Sequence, residues 1–199
     1  PMTVHVVIAD PVRDELALPG LVASSSLAAG TAADLYAAAL KDTFRAAERS
    51  GGDLLVNYPE EQWGDETPEA ELRALAADAL DDPDEARFEV QVGSTFAARA
   101  GNAATHLLEE EDADSVAILD GTAPTLDRTD FDGAAMQLRR NEVVVVPGTG
   151  GRVAYLGLTA SVDFEGAFAP PEVETLVGRG VEAGHDVEFL GMQPTIDHG

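Results

Sequence analysis

Residues 115–124, SVAILDGTAP, run from β-forming side chains into an acid, a glycine and a proline. In a parallel-sheet protein, ligands bind at the carboxyl ends of the central strands, and Asp120 stands at such an end. A carboxylate there has two uses. It can hold a metal ion and, through it, a phosphate. Alternatively, it closes the strand by accepting hydrogen bonds from the following turn.

Three other places offer related chemistry. VPGTGGR, residues 146–152, is dense in glycine. The amides of Gly150 and Gly151 can cradle an anion with Arg152 adding charge, although a hairpin turn needing positive φ accounts for the same glycines. QVGSTFAAR, residues 91–99, puts Gln91 at a strand end, Ser94 and Thr95 at a helix start and Arg99 one turn further in. That helix start can receive an anion or be an ordinary capped terminus. Arg13 is the sole cation of the loop ADPVRDELALPG after the first strand. It contacts a phosphate there or pairs with Asp14 or Glu15.

Several other chemistries are excluded. Neither G-x-G-x-x-G nor the P-loop pattern occurs in the first loop. Ser24, Ser25 and Ser26 lack the G-x-S-x-G elbow of a hydrolase. His5, His106, His185 and His198 do not cluster in sequence, which argues against a histidine metal site. There is no cysteine, so disulfides and thiolate catalysis are absent.

The formal charge is −25, from 37 acids against 12 basic residues, and Lys41 is the only lysine. Hydrophobic segments recur from end to end, so this acidity belongs to a folded surface rather than a disordered chain. It is expected to be adapted to high salt, where charge repulsion is screened. Nucleic acid is not an expected partner, because binding needs a basic stripe to displace counterions. No apolar run reaches the roughly 20 residues that span a bilayer. PMTVHVVIAD reads as a first strand rather than a leader, so a soluble, cytoplasmic protein is expected.

The elements that must position these residues follow from periodicity. Strands are expected at 3–10, 53–58, 87–92, 115–120, 142–148, 152–159 and 186–192. Helices are expected from Thr31 to the Gly51-Gly52 stop, from Pro68 to Leu80, from Gly93-Ser94 to Glu110, from Thr129 or Asp130 to Arg140, and from Pro170-Pro171 to Gly184. Residues 11–30 read as a long loop, which in such folds is often functional. Strands alternate with helices, the pattern of an α/β sandwich with a mostly parallel sheet. The exception is 142–159, where two strands meet without a helix and a hairpin makes the sheet mixed. A single domain over 1–199 is expected. Trp63, in the polar stretch 59–68, is either an acceptor or partner patch or a satellite core aromatic.

In this order the motifs resemble the GT-A-like nucleotide-diphospho-sugar transferases, in particular domain-of-unknown-function family 2064, a relative of guanylyltransferases acting on phospholactate. AILDGTAPTL and VVVVPGTGGRVAYLGL match that family's G-S-D-C-P and P-A-x-D-G-G-Y-Y-L-x-G-L stretches. Leu35-Tyr36 with Asp42-Thr43 resemble its first helix, and Gln91 and Arg99 keep the spacing of its Q-x-x-G-D-L-G-x-R segment. FEGAFAPPEVETL and FLGMQPTID resemble its C-terminal stretches, so the likeness covers nearly the whole chain. It implies a three-layer α/β/α sandwich and a nucleotide or nucleotide-sugar donor. It also implies donor contacts at Arg13, Gln91, Arg99, Gly121, Thr122, Gly150, Gly151 and Arg152.

The departures fall on charge. The family's basic first loop is here DPVRDELALPGL, and its three motif aspartates fall on Thr95, Thr122 and Gly150. The resemblance therefore implies one of two things. Either the chain is a transferase whose Asp120 holds Mg²⁺ or Mn²⁺ against a nucleotide donor after a small register shift, or it is an inactive member of the fold that binds a ligand or partner protein, with no metal required.

Overall fold

The computed structural model describes residues 2–61 and 65–196, so the readings of Trp63 and His198 lie outside the described residues. Among the described residues, seven strands form one sheet: β1 (Thr3–Ile8), β2 (Asp53–Tyr58), β3 (Arg87–Val90), β4 (Ser115–Leu119), β5 (Val143–Pro147), β6 (Val153–Leu158) and β7 (Val187–Phe189). Their spatial order is β3-β2-β1-β4-β6-β5-β7. β1 pairs in parallel with β2 and β4, β2 with β3, and β5 with β7. β6 alone runs the other way, antiparallel to both β4 and β5. The sheet is thus mostly parallel and mixed, and the reversed strand is the return arm of the expected hairpin.

The helices are α1 (Pro19–Ser24), α2 (Ala29–Arg49), α3 (Pro68–Ala79), α4 (Phe96–Thr105), α5 (Arg128–Gln137) and α6 (Glu172–Glu182). They cover both faces. α2, α3 and α5 enclose a core of Val7, Leu40, Phe44, Val56, Phe131 and Tyr155. α4 and α6 enclose a second core of Val6, Ile8, Leu107, Ile118, Leu156 and Leu176. Both layers explain why β1, β4 and β6 are buried at every position, as a doubly covered parallel sheet requires. Each fully buried large side chain contributes about 1.5–3 kcal/mol.

Several boundaries differ from the sequence expectation. α1 lies in the stretch 11–30 that reads as loop: Pro19 starts it at the first turn, where a missing N–H costs nothing. α2 begins at Ala29 behind an Ala28 N-cap that makes no side-chain bond, before Thr31. The cap of α5 is Asp127 rather than Thr129 or Asp130, two or three residues earlier than expected, because Asp127 forms a capping box with Asp130. α4 ends at Thr105 and passes into a π-turn, His106–Glu110. No helix among the described residues is long and apolar enough to cross a membrane.

Candidate functional site

The chain leaves β1 for β2 on one side, then returns to place β4 on the other. The crevice between the carboxyl ends of β1 and β4 is therefore a topological switch point, where open α/β sheets bind ligands. A cavity of about 260 Å³ opens there. Asp10 reaches it from the end of β1, Asp120 and Thr122 from the end of β4, Arg99 from α4, Arg152 from the start of β6 and Glu172 from the start of α6. Only a reversed strand can bring its beginning to this rim, which is how Arg152 arrives beside Asp120.

The polar groups form a chain. Asp120 Oδ1 accepts from the Thr122 amide at 2.9 Å and from Thr122 Oγ1 at 2.7 Å. Its Oδ2 lies 3.5 Å from Arg152 Nη2. Arg152 Nε lies 3.5 Å from Glu172 Oε1, and Glu172 Oε2 accepts from the Val153 amide at 2.9 Å. Glu172 is only 3% exposed, and these contacts are its polar partners in the interior. Gly121, at φ 76, makes the turn that lets Thr122 fold back onto Asp120.

On the opposite wall, Asp10 receives its neighbours through the backbone: its amide donates to the Tyr36 hydroxyl at 3.2 Å. Burial pushes the Asp10 carboxyl above its usual range, and the Arg99 charge opposes that rise. Arg99 is steadied by its Nε donating to the Gly93 carbonyl at 3.1 Å. The apolar lining includes Leu18 and Phe168, which hold φ values of 46° and 59°. They are two of the three non-glycine residues with positive φ among the described residues. Such strain persists where the surrounding structure enforces it, and it concentrates at binding sites. The Phe168 ring meets Phe96 edge-on at 4.9 Å, forming an aromatic wall.

Of the residues singled out in the sequence, Asp120, Thr122, Arg99 and Arg152 thus line one cavity, with Gly121 shaping the turn between two of them. The remaining residues do not line the cavity. Arg13 pairs with Glu71 of α3 and donates to the Glu66 carbonyl at 3.3 Å, because the first loop carries it outward to an acidic helix. Gln91 is buried, its Nε2 donating to the Ala9 and Asn57 carbonyls at 3.1 and 2.8 Å. It ties the ends of β1, β2 and β3 together. Gly150 and Gly151, at φ 71 and 79, are exposed in the β5–β6 turn, with nothing within 4 Å of an added Cβ. The hairpin reading accounts for them.

The donor set does not fit a resident divalent ion. One oxygen each of Asp120 and Glu172 accepts a hydrogen bond, the other of each faces the Arg152 guanidinium at 3.5 Å, and the cation between the two carboxylates is therefore Arg152. Among the described residues, no three His, Asp or Glu side chains converge as a metal ligand set.

No family model matches the chain, and no curated protein matches it either. Solved structures do. A protein described as a nucleotide-diphospho-sugar transferase from Desulfovibrio desulfuricans superposes with a TM-score of 0.81 at 17% identity, over 98% of this chain and 82% of that one. The fold is that of the nucleotide-diphospho-sugar transferases. CMP:2-keto-3-deoxy-manno-octonic acid synthetase in complex with CTP gives a TM-score of 0.57 at 13% identity, over 100% of this chain and 94% of its own. The manganese complex of Rv0371c from Mycobacterium tuberculosis gives 0.56 at 15% identity, over 99% and 92%. At these identities the likeness is one of fold.

Within that fold, sequence reasoning missed three groups at the site: Asp10, Glu172 and the Phe96–Phe168 wall. Asp10 and Glu172 are two acids among 37, so composition hides them. The one available signal was position: each stands beside a proline at the edge of an element.

Proposed function

We propose that the cleft between β1 and β4 binds a nucleotide-activated donor and that the chain transfers a glycosyl or nucleotidyl group from it. The observation that carries this reading is that two guanidiniums, Arg99 and Arg152, and a largely buried carboxyl, Asp10, line one cavity at the switch point of this fold. The cavity is below the roughly 300–1,000 Å³ of a typical ligand pocket. It accordingly receives one ring of the donor, with the rest lying across its mouth.

The chemistry follows from the charges. An acceptor hydroxyl attacks the donor at the anomeric carbon or the α-phosphorus. The bond to the departing phosphate oxygen breaks, and that oxygen leaves with the electron pair. Arg99 and Arg152 stabilise the charge developing on it. Asp10 takes the acceptor proton, a role suited to a carboxyl whose proton affinity burial has raised.

A thermal-shift panel in multi-molar KCl tests this, using CTP, UTP, GTP, ATP, UDP-glucose and GDP-mannose. A ligand at 100 times its Kd adds about 2.7 kcal/mol of stability. One nucleotide should raise the midpoint in wild type and fail to do so in Arg99→Ala. A flat response across the panel sinks the donor reading.

A second reading rests on a different observation. Asp120 is held by Thr122 and Arg152, and Arg13 is held by Glu71. Both are engaged by the protein itself, which favours a fold member that binds its ligand without transfer. Binding in the panel with no product release over hours would select it.

A further inference from the structure

We infer that the guanidinium of Arg152 occupies the place of the divalent cation in this cleft, so that an anionic ligand binds here without metal. The geometry begins with two carboxylates from elements far apart in sequence: Asp120 after β4 and Glu172 at the start of α6. Each has one oxygen satisfied by its own neighbourhood, Asp120 by Thr122 and Glu172 by the Val153 amide. Each turns the other oxygen toward the same arginine, at 3.5 Å in both cases. Two carboxylates converging on one cation from separate elements is the layout of a shared metal site, and here the cation is covalently part of the chain.

The arginine is built in rather than swung in. Its backbone carbonyl accepts from the Gly148 amide at 2.7 Å, closing the 149–151 turn directly before β6. Glu172 acts as a positioning residue: nearly inaccessible, it faces Nε at 3.5 Å, while Nη2 faces Asp120 and the side chain lines the cavity. A divalent ion needs oxygen ligands at about 2.0–2.6 Å. The oxygens of Asp120 and Glu172 that could supply them already face Thr122, the Val153 amide and Arg152, and an incoming ion would meet the arginine's positive charge. Because a guanidinium stays charged across the working pH range, the site keeps its cation whatever the metal supply.

Manganese binding tests the cation claim on its own. Free Mn²⁺ is followed by electron paramagnetic resonance in multi-molar KCl, which screens diffuse binding to the acidic surface. Wild type should show no saturable site. Arg152→Met should gain one, and Arg152→Met/Asp120→Asn should lose it again. Arg152→Lys, which keeps a cation in place, should gain none. If Arg152→Met folds poorly, Mn²⁺ should raise its midpoint while leaving that of wild type unchanged. A saturable wild-type site that Asp120→Asn removes overturns the inference. So does an Arg152→Met variant that neither binds Mn²⁺ nor is stabilised by it.

The ligand half rests on the donor reading above, and the outcomes separate the two. A nucleotide that raises the midpoint equally in EDTA and in Mn²⁺ supports metal-free binding; a shift seen only with Mn²⁺ overturns it. No shift in either condition removes the donor reading, while the manganese result still decides what cation the carboxylates hold.

Discussion

A Cβ atom added to Gly52 would lie 2.5 Å from Cε1 of His5, and equally close to the Thr3 carbonyl oxygen. The glycine is what lets the chain enter β2 against a histidine buried in the sheet. Gly52→Ala should therefore cost about 1–3 kcal/mol through overpacking, read as a lowered urea midpoint at fixed salt. An unchanged midpoint would mean that the β1–β2 junction yields easily.

His5 itself is 2% exposed and packs 4.8 Å from the Phe131 ring. Burial pushes its pKa down to about 4, with a backbone hydrogen bond to Asp53 opposing the shift. The unfolded chain takes up a proton near pH 6.5, whereas the folded chain resists until about pH 4. The contribution to stability is thus complete above pH 6.5 and erodes as pH falls toward 4, by at most ~3 kcal/mol. His5→Leu should flatten urea stability between pH 6.5 and 4.5. A slope equal to that of wild type would assign the acid sensitivity to other groups.

Gly121 sits at φ 76, and a Cβ there would approach Leu40 Cδ2 at 2.5 Å. Gly121→Ala combines backbone strain with a collision in the core beneath α2, a loss of about 1–3 kcal/mol. It should also weaken any ligand-induced shift, since the turn holds Thr122 on Asp120. Full stability with an intact ligand response would show that the turn tolerates a side chain.

Two arginines, both marked by the sequence as donor contacts, should behave differently. Arg99 lines the cavity, whereas Arg13 is bound to Glu71 outside it. Arg99→Ala should abolish the nucleotide response. Arg13→Ala should leave that response intact and cost no more than about 1 kcal/mol, as for a partly exposed ion pair. Titration of the identified nucleotide by calorimetry distinguishes them; equal losses would extend the site to the first loop.

Acids crowd the exposed positions, as at Asp81-Asp82 and Glu109–Asp112. With a net charge of −25 their repulsion reaches about 10 Å at 0.1 M salt and about 3 Å at 1 M. The thermal midpoint should rise steadily from 0.1 M to multi-molar KCl. A midpoint insensitive to KCl would mean that local pairs, such as Arg87 with Glu111, already offset the surface charge.

The strands were legible because their signal is local. VVVV in β5 and SVAIL in β4 have to be buried somewhere, and alternation with helical segments leaves few topologies. The insertion of β6 between β4 and β5 was not legible beyond the hairpin, since strand order is decided by contacts between segments far apart in sequence. The same holds at the site. Asp120 and Arg152 were readable from their turns, but what they do depends on Glu172, whose significance comes only from burial. Arg13 shows the converse: it was singled out by its isolation in the first loop, and α3 supplied the acid that claims it.

The sheet has a seam. β3, β2, β1 and β4 come from the first 120 residues, β6, β5 and β7 from the last 60, and the two groups of strands meet only where β4 pairs with β6. The cleft straddles that joint, with Asp10, Arg99 and Asp120 on one side and Arg152 and Glu172 on the other. A ligand that touches both sets of side chains would act as a clasp. It would resist separation of the halves under mechanical load far more than fraying of either edge strand, and the rim it grips would be assembled only after the final third of the chain had docked.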